Sequence, residues 1–206
     1  EPLEAEGKEL GPGPHLVDDT VARAAVIELL YSQELWPVLD LVLALADELD
    51  DGSAMLTLAQ EQAGRRDDGT YDNSFDANNA INCADQAYPR DVAAYRRLAD
   101  ELAAQYPRIG ATIALGGLTC AFWPQKAASR YTGPFSAEGA PPILVIGTTG
   151  DPATPYPEAV SVARQLSNSV LLTWRSYSHG AYTGDIACVH DIVNRYLIDL
   201  ALPRPG

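Results

Sequence analysis

Apolar positions recur at helical spacing through most of this chain and gather into short unbroken runs only in its last third. Residues 17–31 read as an amphipathic helix that opens on Asp18, Asp19 and Thr20, acidic or capping residues suited to a helix start. Residues 35–48 carry Trp36, Leu39, Val42, Leu43 and Ala46 at helical spacing, and residues 53–63 place Met55, Leu58 and Ala59 on one side. Residues 64–74 are polar and turn-rich. Residues 79–83 form a short apolar stretch that reads as a strand. Residues 91–106 predict a strong helix, with Val92, Tyr95, Leu98 and Leu102 in one stripe and Arg96, Arg97, Asp100 and Glu101 opposite. Residues 1–14, charged and rich in Gly and Pro, read as a connector or surface loop.

The pattern changes after residue 141. Residues 143–146, Ile-Leu-Val-Ile, are an all-apolar run of the kind a buried parallel strand shows, and residues 170–174 are a second. Between them Thr154 as N-cap and Pro155 at the first helical position predict a helix to about residue 165. A last helix is expected after Asp185, with Ile186, Val189, Ile192, Val193, Tyr196, Leu197 and Leu200 on one face. Strand, helix, strand, helix is the signature of an α/β fold with helices on the faces of a parallel sheet. Two or three strands do not close such a core, because a parallel sheet is buried on both faces and needs neighbours. The sequence therefore implies further strands, supplied from an N-terminal half that these residues do not contain.

The chemistry sits at the ends of the two apolar runs. The first ends in Gly147-Thr-Thr-Gly150, which forces a sharp turn, and Asp151 follows it. The second leads to His179. Ligand and catalytic groups of open α/β sheets collect at this C-terminal edge. A carboxylate after one strand and an imidazole after the next is the acid–base part of a Ser-His-Asp hydrolase in the order Ser, Asp, His. His179 would take the nucleophile's proton and pass it to the leaving group, and Asp151 would orient and charge-stabilise the imidazole. Gly-Asp-Pro is also a common turn tripeptide, and a lone loop His is commonly a surface residue, so the two assignments stand or fall together. No G-x-S-x-G elbow occurs in the 206 residues. The expected nucleophile thus lies upstream in a precursor or on a partner chain. Thr148 and Thr149 read as shaping the turn. His15, in a Gly/Pro loop, and His190, on the polar face of the last helix, read as non-catalytic. Asp85 reads as a surface acid, with contact to a substrate amine as the alternative.

Composition narrows the classes. The net charge is −14, from 28 acidic and 14 basic residues, which disfavours nucleic acid and anionic membrane surfaces as partners. No apolar run approaches the roughly 18 residues a membrane span requires. The three histidines are scattered and no C-x-x-C occurs, so no metal or other cofactor is expected. The chain opens on Glu1, which is compatible with a leader already removed. The three cysteines, Cys83, Cys120 and Cys188, fit one disulfide plus a thiol paired outside this chain, in an oxidising compartment. Cys83 with Cys120 is one internal pairing, since the helix over 91–106 could bring the chain back. Three free buried thiols are the alternative.

Residues 142–155, Pro-Ile-Leu-Val-Ile-Gly-Thr-Thr-Gly-Asp-Pro-Ala-Thr-Pro, closely resemble the C-terminal region of secreted bacterial tripeptidyl aminopeptidases and related exported serine proteases of the α/β-hydrolase superfamily. The Ser178-His-Gly-Ala-Tyr182 loop and Ala187-Cys-Val189 share that resemblance. So do Ala80-Ile-Asn-Cys-Ala-Asp85, Cys120-Ala-Phe-Trp-Pro124 and a lid-like segment at 25–36. The resemblance implies an α/β-hydrolase fold with residues 1–85 as a helical lid and 86–206 as the C-terminal part of the core. It implies Asp151 and His179 as triad acid and base, a peptide substrate cut near its free N-terminus, and a secreted or cell-wall location. An esterase or lipase of the same fold is the nearest alternative. A non-catalytic binding module that lost its nucleophile is the alternative from another class.

Overall fold

The computed structural model describes residues 3–5, 15–182 and 186–204. The chain forms two compact units, each built from two segments: Glu1–Ala24 with Ser53–Thr132, and Ala25–Gly52 with Gly133–Gly206. This partition differs from the functional division into lid and core expected at residue 85.

The first unit is mainly helical. Strands β1 (Leu3–Ala5) and β2 (His15–Val17) pair antiparallel, with Leu3 opposite Val17. The rest of the connector expected over 1–14 lies outside the described residues. Helix α1 (Asp19–Leu30), of which only Asp19–Ala24 belongs to this unit, begins where Asp18 accepts hydrogen bonds from the N–H groups of Thr20 and Val21, the capping pattern the sequence suggests. It starts two residues later than expected because Val17 is taken into β2, where it is buried. Helix α3 (Ser53–Gln62) buries Met55 and Leu56.

Residues 79–83, read as a strand, instead lie inside helix α4 (Ser74–Asp85). Its apolar positions are few and Asn78, Asn79 and Asn82 interrupt them. Asn79 and Asn82 donate back to the carbonyls of Phe75 and Asn78, four residues earlier, so the amides are accommodated by the helix itself. Helix α5 (Val92–Gln105) is capped by Asp91, whose carboxylate accepts from the N–H of Ala93. Its buried line runs through Tyr95 and Ala99, while Leu98, expected in the stripe, is exposed. Two short helices that the periodicity does not reveal follow, α6 (Gly110–Gly116) and α7 (Leu118–Ala121). At four to seven residues they are too short to show a helical repeat.

A disulfide joins Cys83 on α4 to Cys120 on α7, with Cα atoms 4.6 Å apart. Cys83 has no solvent exposure, and Lys126 Nζ donates to the carbonyls of both half-cystines, at 3.3 and 2.8 Å. Cys188 is a free, exposed thiol.

The second unit holds helix α2 (Trp36–Leu49) and the parallel pair β3 (Ile143–Thr148) and β4 (Ser169–Trp174). Ile143 lies opposite Ser169 and Thr148 opposite Trp174. Helix α8 (Tyr156–Gln165) links the strands and α9 (Ala187–Asp199) follows them. Side chains alternate across a strand, so its two faces meet different helices. Leu144, Ile146, Leu172 and Trp174 pack against Val189 and Val193 of α9 and Ala181. Gly147 faces α8, where a Cβ would lie 2.7 Å from Ala159 Cβ and 3.0 Å from the Tyr156 ring. Glycine there lets helix and strand approach. Tyr196 on α9 anchors the start of β3 by donating to the Pro142 carbonyl at 2.9 Å. Asp185, expected just before the last helix, lies outside the described residues. Among the described residues no single helix is long and apolar enough to cross a membrane.

The disulfide makes a countable prediction. Thiol titration of the denatured, unreduced chain should find one thiol, and Cys83→Ser should cost about 2–4 kcal/mol of stability, seen as a lower unfolding temperature that added reductant no longer changes.

Candidate active site

Asp151 and His179 meet beyond the C-terminal ends of the paired strands. The turn after β3 is held to the segment after β4 by backbone bonds. Thr149 N–H donates to the Trp174 carbonyl at 2.9 Å, and Gly150 N–H to the Ser176 carbonyl at 2.8 Å. Thr149 Oγ1 adds a bond to the same Ser176 carbonyl at 3.3 Å. The two segments run so close at Gly150 that a Cβ would sit 2.4 Å from the Tyr177 ring and 2.9 Å from the Ser176 carbonyl oxygen. Any side chain there would push the acid loop away from the histidine loop.

Asp151 is gripped from its own loop. Its Oδ1 accepts from the N–H groups of Ala153 and Thr154, at 2.9 and 2.8 Å, and its Oδ2 accepts from Thr154 Oγ1 at 2.9 Å. Only 5% of its side chain is exposed. Burial works to raise its pKa, but the backbone bonds from Thr154 and Ala153 and the side-chain bonds from His179 and Thr154 outweigh it. Together they hold the carboxyl below the usual carboxylate range. The group is thus a fixed anion.

His179 Nδ1 lies 3.0 Å from Asp151 Oδ1 and 3.1 Å from Oδ2. An ionised carboxylate only accepts, so Nδ1 carries the hydrogen, and Nε2 of the neutral ring keeps its lone pair. Thr154 Oγ1 is 3.3 Å from the same Nδ1. Among the described residues no side chain hydrogen-bonds Nε2, and the imidazole is 41% exposed. The arrangement is a proton acceptor with its orientation set from behind. A cavity of about 420 Å³ adjoins it, lined by Asp151, Thr154 and His179 together with Val145, Ala159 and Val162.

Thr154 is a residue that sequence reading misplaced. Its hydroxyl does not cap α8, whose N-cap position is Pro155, because it is committed to Asp151. The signal was present in Asp151-Pro-Ala-Thr154, since Asp often binds the backbone two and three residues on. His190 is not a bare polar-face residue. It bonds the Tyr182 carbonyl at 2.8 Å and its ring packs on Tyr182, with centroids 4.9 Å apart, so it steadies the loop beyond His179. His15 lies in β2. Asp85 is exposed at the end of α4, and its carbonyl accepts from Arg130. No cluster of His, Cys, Asp or Glu suited to a metal occurs among the described residues.

A carboxylate and an imidazole that meet after adjacent parallel strands, on a small sheet faced by helices, are consistent with the C-terminal part of an α/β-hydrolase. Residues 105–206 match the profile of the family described as TAP-like protein, and this part of the chain belongs to that family. It is 38% identical over 191 residues to "Serine protease Hip1" of Mycobacterium tuberculosis, covering 90% of this chain and 36% of that protein. It is 35% identical over 189 residues to "Carboxylesterase B" of the same species, covering 88% of this chain and 35% of that protein. "Tripeptidyl aminopeptidase" of Streptomyces lividans is 30% identical over 120 residues, covering 58% of this chain and 22% of that protein. The chain thus spans about a third of the length of the first two relatives.

The depressed pKa of Asp151 sets a pH dependence. A group whose folded pKa lies below its ordinary value, here 3.8, contributes stability that is present above that value and lost as pH falls through the folded one. Wild type should therefore unfold at higher temperature than Asp151→Asn at neutral pH, and the gap should shrink as the pH is lowered into the acid range. A pH series of thermal melts on both proteins checks this.

Proposed function

We propose that this chain supplies the acid and base of a serine hydrolase whose nucleophile lies outside these residues. The reading rests above all on the bond from His179 Nδ1 to a buried, ionised Asp151 at the end of a parallel strand pair. In this mechanism a serine hydroxyl from the N-terminal half of the precursor, or from a partner chain, approaches Nε2. His179 removes the proton as the serine oxygen attacks the substrate carbonyl. The imidazolium formed is stabilised by Asp151 and then protonates the leaving amine or alcohol. Water, deprotonated in turn by His179, attacks the acyl-enzyme and releases the acid product with the serine restored. Backbone amides on the nucleophile-bearing half would stabilise the oxyanion. β4 pairs with β3 on one edge, and the same half would supply the strand for the other.

For the substrate, we propose short peptides released from free N-termini, as the relative named a tripeptidyl aminopeptidase suggests. A carboxylic ester is the second reading, favoured by the similarity to a protein named a carboxylesterase. Residues 1–85 would act as a lid over the site and 86–206 as the core. The disulfide fits an extracytoplasmic location, since such bonds persist in oxidising compartments.

The chain alone should hydrolyse neither a p-nitrophenyl ester nor a tripeptide p-nitroanilide, and gain activity only with the nucleophile-bearing half. Turnover by the purified 206-residue chain would end this reading.

In the complete protein His179→Ala should lower kcat by several orders of magnitude, because triad members act as a unit. Asp151→Asn should lower it by roughly 10⁴-fold, the cost of the same change in a well-studied serine protease. Near-normal turnover in either variant, measured on both substrates, refutes the assignment.

A further inference from the structure

We propose that Ser178 is a positioning residue for the base, and that the turn between α1 and α2 is the anchor it holds. The inference rests on the reading of His179 as the catalytic base. The imidazole is 41% exposed, so packing alone does not fix it. Three successive residues of its loop are instead tied to residues 31–36, within one compact unit.

Ser178 is 7% exposed, and its hydroxyl oxygen accepts the backbone N–H of Gln33 at 3.0 Å. His179's own backbone N–H donates to the Tyr31 carbonyl at 2.7 Å. The Tyr31 ring stands edge-on to the imidazole, with centroids 5.3 Å apart and planes at 78°. The Trp36 ring packs on Tyr177 at 5.9 Å. Ser178 is thus the one side chain of the three that bonds the backbone of the anchor. It does so at the residue preceding the base and across 145 positions of sequence. The acid holds the ring from one side, and the anchor sets where the ring's backbone begins. A base must lie within hydrogen-bond reach of the proton it takes, and misplacement by an ångström can cost about 100-fold.

The bond can be cut from either end. Ser178→Ala removes the acceptor. Gln33→Pro removes the donor at an exposed site, where the first position of a short 3₁₀ helix (Gln33–Leu35) and the extended Ser32 before it (φ −135°, ψ 128°) suit proline. In the complete protein, with a p-nitrophenyl ester and a tripeptide p-nitroanilide as probes, each change should lower kcat by about 10- to 100-fold and leave KM within about twofold. The double variant should lose no more than the larger single loss, since both remove the same bond. Thermal melts of each variant show whether the fold is kept, and Gln33→Pro carries the test if Ser178→Ala does not fold.

Wild-type kcat in folded Ser178→Ala or Gln33→Pro overturns the proposal, as does a double loss that equals the product of the single losses. A rise in KM at constant kcat overturns it too. His179→Ala is measured alongside. If that variant keeps its turnover, the hydrolase reading itself has failed. If it is inactive while Ser178→Ala is normal, only the positioning role has failed.

Discussion

The parallel register of β3 and β4 is the constraint on which the site depends. With Thr148 opposite Trp174, the strands end level, and the two loops leave the sheet side by side. A shift of one residue would turn Leu144 and Ile146 away from α9 and move Asp151 along the edge from His179. The register is secured from both faces. Large apolar side chains meet α9 on one, and a glycine admits α8 closely on the other. Two backbone bonds and a glycine then lock the loops together just before the acid. The acid–base geometry is therefore a consequence of sheet packing, carried outward over a few residues.

Around the pair, polar groups are arranged so that each supports one state. Asp151 receives backbone and side-chain donors that favour its anion, and that anion selects the Nδ1–H tautomer of His179. The buried oxygen of Ser178 and the carbonyl of Tyr31 take up backbone donors from opposite directions. In the other unit a disulfide and a lysine bonding both half-cystine carbonyls do comparable work. They join α4 to α7.

Long periodic segments were legible in the sequence. The helices at 53–62, 92–105 and 187–199 and both parallel strands fall close to where the apolar pattern puts them. The pattern failed at α4, where asparagines break the apolar repeat and the short stretch at 79–83 mimics a strand. It also failed at α6 and α7, which are shorter than the window that periodicity needs. Leu98 was assigned to a buried stripe by spacing alone, whereas the neighbours of α5 cover the side marked by Ala99.

The sequence by itself determined that an acid follows one apolar strand and a histidine the next, because apolar runs and turn residues are local signals. Apart from the local bonds of Ala153 and Thr154 to Asp151, which groups surround them was decided by tertiary structure. Thr154 has the composition of a helix cap, but its hydroxyl is committed three residues back to Asp151, a local turn whose signal the sequence carried. Ser178 and Gln33 have no local feature that links them. Their bond exists because residues 25–52 pack in the same unit as the sheet, and such a long-range contact leaves no periodicity to read. The Cys83–Cys120 pairing, by contrast, was one the sequence offered, and it formed where α5 returns the chain.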